Sequence, residues 1–351
     1  MSDQTLPSGF DLMKAVLGRI AGGHRLSVAE SEQVFDVLMS GGATPVQVGG
    51  LLMALRMRGE TVEEITGAAQ VMRAKAVHME APAGAIDTCG TGGDGAGTYN
   101  ISTATAFVVA ACGVPVAKHG NRAMSSKSGS ADVLAALGVN IMADMALVRE
   151  SLWTANLGFL MAPRHHDATR HVSAARAELG TRTIFNLLGP LSNPAGTTRQ
   201  VVGVFSDHWV RPLAEVLGRL GAERAWVIHG ADGLDELTTT ASSLVAEWRN
   251  GEVRVFEVMP EAAGLPRARP EDLRGGDAAE NAAALLAILK GERNAYRDIV
   301  LLNAAAALIV ADKAEDLAGA AAMAAEAIDS GRAQAVLDRL VAITNRPPAQ
   351  S

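Results

Sequence analysis

The sequence is poor in several residue types, and each scarcity narrows the possible functions. Cysteine occurs twice in 351 residues, as Cys89 and Cys112, and this spacing offers no metal-ligand motif. A reduced, cytoplasmic protein is therefore expected. The chain also lacks an excess of basic residues, since its formal net charge is −7. Because non-specific nucleic-acid binding depends on clustered positive charge, we expect no nucleic-acid partner.

Long apolar segments are also missing. The longest apolar run, residues 299–311, contains Asn303 and is too short to cross a bilayer. The N-terminus shows no charged start followed by an apolar core, so we expect neither a signal peptide nor a membrane partner. The chain is long enough for two domains with a sizeable core.

The most informative segment present is glycine-rich. Residues 87–103 read DTCGTGGDGAGTYNIST, with five glycines in seventeen positions, and an apolar helical run follows. Backbone N–H groups of such a loop can close around an anion, and the N-terminus of the next helix adds positive potential. The sequence therefore predicts a phosphate-binding loop; the alternative is a plain glycine-rich turn.

Two common nucleotide-binding motifs do not explain this loop. Gly90, Gly92 and Gly95 match the spacing of a dinucleotide fingerprint, which requires an acidic residue about 20 positions later. Here the next predicted strand, 114–117, ends instead in the cationic run 118–122, KHGNR. No Gly-Lys-Ser/Thr follows the loop, which excludes a Walker A motif. A cationic strand end favours a phosphorylated ligand.

Two further polar segments follow predicted strands. Residues 118–132, KHGNRAMSSKSGSAD, combine cations, serines and glycines that are typical of phosphate ligands, although a solvated basic loop is the alternative. Asp235 and Glu236 follow the apolar run 224–229. Adjacent carboxylates at a strand end suit Mg²⁺, which prefers oxygen ligands, but they are equally typical of an acidic turn.

The order of the elements predicts the fold class α/β. A small all-helical N-terminal domain, residues 1–82, begins with a helix over 8–22, and capping signals at Ser27, Thr44 and Thr61 start three more. Strands and helices then alternate over residues 83–351, which predicts a large α/β domain with a mainly parallel central sheet. A hairpin turn is predicted at Asn250-Gly251.

Apolar residues of the helical domain exceed what so small a unit needs for its own core. They are Val34, Phe35, Leu38, Met39 and the segment 51–53. Packing against the large domain is one interpretation, and a dimer surface is the other.

Four motifs together resemble the anthranilate phosphoribosyltransferase family. They are GTGGD at 90–94, NIST at 100–103, KHGNRAMSS at 118–126 and GTRTIFNLLGPLSNP at 180–194. The likeness extends from about residue 10 to about residue 340. The pyrimidine nucleoside phosphorylases share the fold and a Lys-His-Gly motif, but they resemble the chain less at 121–123 and in the first loop.

The resemblance implies an activity in tryptophan biosynthesis. A phosphoribosyl group would pass from phosphoribosyl pyrophosphate to the amine of anthranilate, giving N-(5-phosphoribosyl)anthranilate and pyrophosphate. It also implies dependence on Mg²⁺, with two ions, and a homodimer formed through the helical domain. A segment at about 175–195 would return to that domain.

The resemblance further implies roles for individual residues, none of them a general base. The residues that would bind phosphoribosyl pyrophosphate are Gly90, Gly93, Asp94, Thr98, Asn100, Ile101, Ser102, Thr103, Lys118, His119, Gly120, Asn121, Arg122, Ala123, Met124, Ser125, Ser126 and Ser130. Those that would contact anthranilate are Gly90, His119, Asn121, Pro163, His166 and Arg176. The implied metal ligands are Ser102, Asp235 and Glu236. Thr169 stands where many members have a larger side chain, which leaves the width of the acceptor channel open.

Two other functions compete with this one. A nucleoside phosphorylase would cleave a nucleoside with free phosphate, and the Asp235-Glu236 pair and the segment 100–103 argue against it. A non-catalytic relative that binds nucleic acid would need a broad basic surface, which the net charge of −7 disfavours.

Overall fold

The structure is a computed structural model that describes residues 9–123 and 127–347. The helices are α1 Gly9–Ala21, α2 Val28–Met39, α3 Pro45–Arg58, α4 Val62–Ala74, α5 Ile101–Ala111, α6 Ser130–Ala136, α7 Met145–Thr154, α8 Ala162–His165, α9 Arg170–Leu179, α10 Phe185–Leu188, α11 Val210–Arg219, α12 Ala278–Leu289, α13 Ala295–Val310, α14 Leu317–Asp329 and α15 Arg332–Thr344. The strands are β1 Ile86–Gly90, β2 Val116–Gly120, β3 Leu157–Met161, β4 Arg199–Gly203, β5 Arg224–Gly230, β6 Ser243–Arg249 and β7 Glu252–Val258. The predicted fold class is confirmed.

The chain forms two compact units. The helical unit comprises Met1–Val77 and Pro163–Ser192, and the α/β unit comprises His78–Ala162 and Asn193–Ser351. The sequence places the boundary at residue 82 and the return at about 175–195, whereas the returning segment begins at Pro163. The early return has a local cause. Val77 N donates to His165 O at 2.8 Å, and the imidazole Nδ1 of His165 lies 2.6 Å from Val77 O.

The helical unit starts its helices as the capping signals predict. Ser27, Thr44 and Thr61 each accept a hydrogen bond from the backbone N–H three residues later. The side chain of the residue at that position, Glu30 in the first case, bonds back to the capping residue's N–H. Each box satisfies two amide groups that the first turn of a helix otherwise leaves unpaired.

Most residues of the apolar surplus are buried within this chain, so they do not form an exposed surface for a dimer. Val34, Phe35, Leu38 and Met39 are buried, as are Leu51 and Leu52. The returning segment explains part of this burial, because the ring of Phe35 packs on that of Phe185 at 6.0 Å. Among the described residues of this unit, the exposed large apolar side chains are instead Phe10, Val46, Met57 and Val77.

The α/β unit is built on a seven-stranded sheet in the order β3-β2-β1-β4-β5-β6-β7. Strands β1 to β5 pair in parallel, and β6 and β7 continue the sheet antiparallel. Asn250 and Gly251 join β6 to β7 with φ of 52° and 86°, as a two-residue hairpin turn requires. Strand β7 ends the sheet as an edge strand. Strands β2 and β3 lie on one side of β1, and β4 lies on its other side, so the strand order reverses between β1 and β4. Ligands bind at such a switch point.

Strand β2 differs from its prediction. It begins at Val116, two residues later than expected, and continues through Lys118 and His119 to Gly120. Lys118 and His119 therefore belong to the strand and precede its last residue, Gly120, and their side chains point to opposite faces of the sheet.

The long helix α13 is buried along most of its length and belongs to the main core of this unit. Within the two described ranges, no helix combines the length and the apolar character needed to cross a membrane.

Candidate active site

The candidate site lies at the carboxyl ends of β1, β2 and β5 in the α/β unit. The glycine-rich loop follows β1 and runs into α5. Gly92, Gly93, Gly95 and Gly97 have φ between 64° and 75°, a region that other residues rarely adopt. The glycine content of the loop is thus dictated by its backbone.

The acidic pair after β5 contacts this loop directly. Gly92 N donates to Asp235 Oδ2 at 2.7 Å, and Ser102 N, in the first turn of α5, donates to Glu236 Oε1 at 3.1 Å. A Cβ atom at Gly90 would collide with the Asp235 carboxylate, and one at Gly203 with the Asp235 carbonyl. Glycines at the ends of β1 and β4 therefore make room for the pair, and the three predicted metal ligands lie together.

The carboxylates of this pair are buried close to other negative charge. Burial, and then repulsion from Asp94, raises the pKa of Asp235 to about 7. Burial, and then repulsion from Asp235, raises the pKa of Glu236 to about 8, although Lys118 opposes the shift. A site that disfavours its own negative charge in this way favours a bound cation.

Lys118 is buried beneath the two loops and is only 2% exposed. Its Nζ donates to Thr88 O at 2.6 Å and to Ser102 Oγ at 3.3 Å. The cation is thus placed beside a predicted metal ligand.

The buried carboxylate of Asp87 interacts with Lys118. Asp87 accepts hydrogen bonds from His119 N at 3.2 Å and from Asn193 Nδ2 at 2.7 Å. Burial raises the pKa of Asp87, and the charge of Lys118 counters that shift. Asn193 also donates to Ala117 O at 2.8 Å, so one amide ties the beginning of β1 to β2.

The second loop is organised by Asp132. Its carboxylate pairs with Arg122 at 2.8 Å and accepts from Ala123 N at 2.9 Å and from Gly129 N at 3.0 Å. Ser130 Oγ donates to the carbonyl of Asn121 at 3.2 Å. Met124, Ser125 and Ser126, also predicted as ligands, lie outside the described residues.

Asn100 links the two loops. Its Nδ2 donates to Ser128 O at 3.2 Å, and its Oδ1 accepts from Asn281 Nδ2 at 2.9 Å. Its backbone carbonyl accepts from Tyr296 Oη at 3.2 Å. Neither Asn281 nor Tyr296 could be selected from the sequence, because both lie in a C-terminal part whose pattern indicates helical scaffold.

The other predicted ligands of the first loop are placed as follows. Thr98 forms a β-bridge with Arg274, and Asp94 Oδ1 accepts from Ala96 N at 3.2 Å. Ile101 and Thr103 lie in the first turn of α5 and are buried.

Three of the implied acceptor residues belong to the helical unit. Pro163 is exposed and His166 is buried. The guanidinium of Arg176 lies over the ring of Phe185, 5.2 Å from its centroid. Burial lowers the pKa of Arg176. Asp167 pairs with Arg170 instead, and Arg176 makes no ion pair with any residue that the structure describes.

Comparison with known proteins agrees with this geometry. A model described as "Glycosyl transferase family, a/b domain" matches residues 83–334, and one described as "Glycosyl transferase family, helical bundle domain" matches residues 14–76. The anthranilate phosphoribosyltransferase of Paramagnetospirillum magneticum is 69% identical over 342 residues, covering 97% of this chain and 99% of the relative. That of Azospirillum brasilense is 65% identical over 347 residues, covering 98% and 97%.

The chain belongs to the anthranilate phosphoribosyltransferase family.

Solved structures of the anthranilate phosphoribosyltransferase family share the fold. The Thermus thermophilus enzyme aligns with a TM-score of 0.89 at 45% identity, covering 94% of this chain and 99% of that one. The Saccharomyces cerevisiae enzyme, solved in complex with phosphoribosyl pyrophosphate and Mg, aligns with a TM-score of 0.86 at 26% identity, covering 95% and 98%. The anthranilate phosphoribosyltransferase fold therefore extends over both units.

Proposed function

We propose that this protein transfers the 5-phosphoribosyl group of phosphoribosyl pyrophosphate to the amine of anthranilate, in a Mg²⁺-dependent step of tryptophan biosynthesis in the cytoplasm. The products are N-(5-phosphoribosyl)anthranilate and pyrophosphate. One observation carries the proposal: the glycine-rich loop, Lys118 and the Asp235-Glu236 pair meet at the carboxyl ends of the parallel strands. A doubly phosphorylated sugar needs anion donors and a cation site side by side.

The two loops bind phosphoribosyl pyrophosphate in this proposal. Backbone N–H groups of the first loop and of the α5 N-terminus donate hydrogen bonds to the anionic phosphate oxygens of phosphoribosyl pyrophosphate. Lys118 supplies a buried positive charge, and Ser130 with the described part of the second loop supplies further hydrogen bonds. The hydrogen bond from Asn100 to Ser128 holds the two loops next to each other.

The residues around the acidic pair fit magnesium. The described residues contain no cluster of three or more His, Cys, Asp or Glu that could hold an ion. Mg²⁺, however, is usually held by one or two carboxylates together with water and substrate phosphates. Asp235, Glu236 and the hydroxyl of Ser102 provide such a set, and two ions are proposed. Bound Mg²⁺ neutralises negative charge that develops on the departing pyrophosphate.

The chain need not supply a general base. An aromatic amine is unprotonated at neutral pH and can attack the anomeric carbon as it stands. The carbon–oxygen bond to pyrophosphate breaks as the carbon–nitrogen bond forms, and the amine then loses one proton. The loops orient the donor for this attack and stabilise the leaving group.

Product analysis tests the function. The protein is incubated with Mg²⁺, anthranilate and phosphoribosyl pyrophosphate, and mass spectrometry measures the adduct and pyrophosphate. A parallel incubation offers a pyrimidine nucleoside with inorganic phosphate. We expect transfer in the first reaction; phosphorolysis in the second without transfer in the first would replace the proposal with a nucleoside phosphorylase.

Metal binding is expected to depend on pH around neutrality. Mg²⁺ binds the ionised carboxylates, whose pKa values of about 7 and about 8 mean that protons compete with the ion. The apparent Mg²⁺ affinity should therefore rise as the pH increases from 6 to 9, with proton release on binding. Calorimetry in buffers of different ionisation enthalpy measures both quantities. The Asp235→Asn, Glu236→Gln double variant lacks both carboxylates, so any pH dependence that it retains comes from titration of the substrate phosphates. An equal pH dependence in that variant would contradict the assignment of the pH dependence to this pair.

Arg176 is proposed to bind the anthranilate carboxylate. A planar guanidinium holds a carboxylate through two parallel hydrogen bonds, and stacking on Phe185 fixes its plane. Arg176→Ala should raise the Michaelis constant for anthranilate about ten- to a hundredfold, since a charged hydrogen bond is worth about 1.5–3 kcal/mol. Donor affinity should stay unchanged, and Arg176→Lys should restore only part of the loss.

Arg170 provides the matched control for Arg176. It lies on the same helix and forms an exposed pair with Asp167, and such pairs contribute about 0–1 kcal/mol. Arg170→Ala should leave the steady-state kinetics nearly unchanged. If Arg176→Ala behaves like Arg170→Ala, the carboxylate is bound by another residue.

A homodimer through the helical unit is also proposed. Val46 is 84% exposed and Met57 is 79% exposed, both on α3, and Phe10 on α1 is also exposed. Large apolar side chains at this exposure are costly in water and favour association. Light scattering should give twice the chain mass, and Val46→Glu with Met57→Glu should give a monomer. Met142→Glu, at an exposed apolar site of the other unit, is the control; a monomeric wild type would contradict the proposal.

A further inference from the structure

Asn303 is a polar residue in the middle of the buried helix α13. It is 2% exposed, and its neighbours along the helix, Leu302 and Ala304, are buried apolar residues. An amide in such surroundings destabilises the fold unless its hydrogen bonds are satisfied. Here all of its N–H groups are used. Asn303 Nδ2 donates to Leu237 O at 2.8 Å and to Ile299 O at 2.9 Å, while Oδ1 accepts from Leu237 N at 3.0 Å.

The partner of Asn303 follows the acidic pair directly. Leu237 is completely buried and comes next after Glu236. Because the amide binds both the N–H and the C=O of Leu237, it fixes the peptide planes on both sides of that residue. Between the two acidic residues, the carbonyl of Asp235 packs against Gly203 so closely that no Cβ fits there. The backbone on both sides of Glu236 is thus held in place.

The same helix also reaches the Ser102 segment. Tyr296 lies seven residues before Asn303, and two helical turns place both side chains on one face of α13. The Tyr296 hydroxyl donates to Asn100 O at 3.2 Å, and its ring stacks on Tyr99 at 4.4 Å. One helix face therefore holds the segment that leads into Ser102 and the segment that carries Glu236, about 10 Å apart along the axis.

We propose that Asn303 is a positioning residue of the cation site: through Leu237 it sets the direction of the Glu236 carboxylate relative to Ser102. The inference rests on the proposed function, because it assumes that these residues bind Mg²⁺ together with phosphoribosyl pyrophosphate. An amide that served the fold alone would affect thermal stability and leave cation affinity unchanged. The two roles are therefore separable by measurement.

The test replaces Asn303 and measures cation binding directly. Asn303→Leu keeps the branching and the number of side-chain heavy atoms and removes all three hydrogen bonds, while Asn303→Ala leaves space in which a water molecule can restore some of them. Mn²⁺ serves as the probe, and electron paramagnetic resonance of free Mn²⁺ gives its dissociation constant in the presence of phosphoribosyl pyrophosphate. Losing an outer partner of a metal ligand typically weakens binding about 10–100-fold. We expect that loss for leucine and a smaller one for alanine, with the Mg²⁺ requirement of turnover shifted in parallel.

Thr344→Val is the matched control. Thr344 is also buried in the α/β unit, and its hydroxyl accepts from Asn140 N at 3.2 Å, away from the acidic pair. This variant should lower the melting temperature and leave the Mn²⁺ dissociation constant at the wild-type value.

Each result decides the question. If Asn303→Leu loses stability as Thr344→Val does and binds Mn²⁺ like the wild type, Asn303 is structural and the inference fails. If Asn303→Leu does not fold, the same comparison is made with Asn303→Ala. If wild-type protein binds no Mn²⁺, no cation site exists to be positioned and the inference also fails. If the wild type binds Mn²⁺ but forms no adduct with anthranilate, the proposed function fails while the comparison of variants still holds.

Discussion

The double variant Asp235→Asn, Glu236→Gln is expected to lose its response to Mg²⁺ and to turn over about 10²–10³ times more slowly than the wild type, the usual loss when a group that stabilises developing charge is removed. Amides keep the size of the carboxylates and can still accept from Gly92 N and Ser102 N. What disappears is the negative charge that holds the ion. Initial rates across a range of free Mg²⁺ concentrations measure the effect.

The same variant should not lose stability. The raised pKa values show that ionising the pair costs free energy in the folded protein, and this cost grows as the pH rises above the ordinary carboxylate range. Without metal, the neutral pair should melt at the wild-type temperature or higher near pH 8. With Mg²⁺ and phosphoribosyl pyrophosphate, only the wild type should gain stability.

A charge-matched control accompanies this experiment. Glu252→Gln with Glu257→Gln removes two exposed carboxylates from β7 and should leave the Mg²⁺ response intact. Wild-type turnover of the Asp235, Glu236 variant at limiting Mg²⁺ would refute the metal assignment. A large drop in its melting temperature would instead indicate a structural role for the pair.

Lys118→Ala is expected to weaken the binding of phosphoribosyl pyrophosphate about ten- to a hundredfold, since hydrogen bonds to charged groups contribute about 1.5–3 kcal/mol. Lys118 is buried, and a charge withdrawn from water is poorly screened, so the loss of donor affinity should lie toward the hundredfold end of this range. Removing the ammonium also leaves Asp87 without its nearest positive charge and raises the pKa of Glu236 further. Calorimetry with the donor alone measures the change.

Two companions separate binding from folding at this position. Lys118→Met preserves the apolar stem of the side chain, so it tests the charge with little change in packing. Lys127→Ala removes an exposed cation of the second loop and should alter donor affinity only slightly. Unchanged donor affinity in Lys118→Met, with the fold intact by circular dichroism, would show that this lysine serves Asp87 and not the substrate.

Much of the fold could be predicted from local signals. Capping boxes mark where α2, α3 and α4 begin, and Asn250-Gly251 marks the hairpin. These signals work because the physical cause lies within a few residues of the feature. The glycine-rich loop is of the same kind, since four of its glycines have the backbone angles that made glycine necessary.

The support of the site could not be predicted in this way. Asn281 contacts Asn100 across 181 residues of sequence, and Asn303 contacts Leu237 across 66. Neither asparagine differs locally from any other polar residue in a helix, and only the tertiary packing of α12 and α13, which carry them, brings them to their partners. The burial of Phe35 in the helical unit could not be predicted for a similar reason, because Phe185, which packs on it, is 150 positions away.

The open edge of the sheet has a consequence for the protein at high concentration. An edge strand presents unpaired N–H and C=O groups to which a strand of another molecule can add, which is a common first step of aggregation. In β7 the exposed positions include Glu252, Arg254 and Glu257. A strand that joined this edge would bring its own side chains against both signs of charge and would have to dehydrate them. The charges of alternating sign thus oppose the addition of a strand from another molecule at the β7 edge of the sheet.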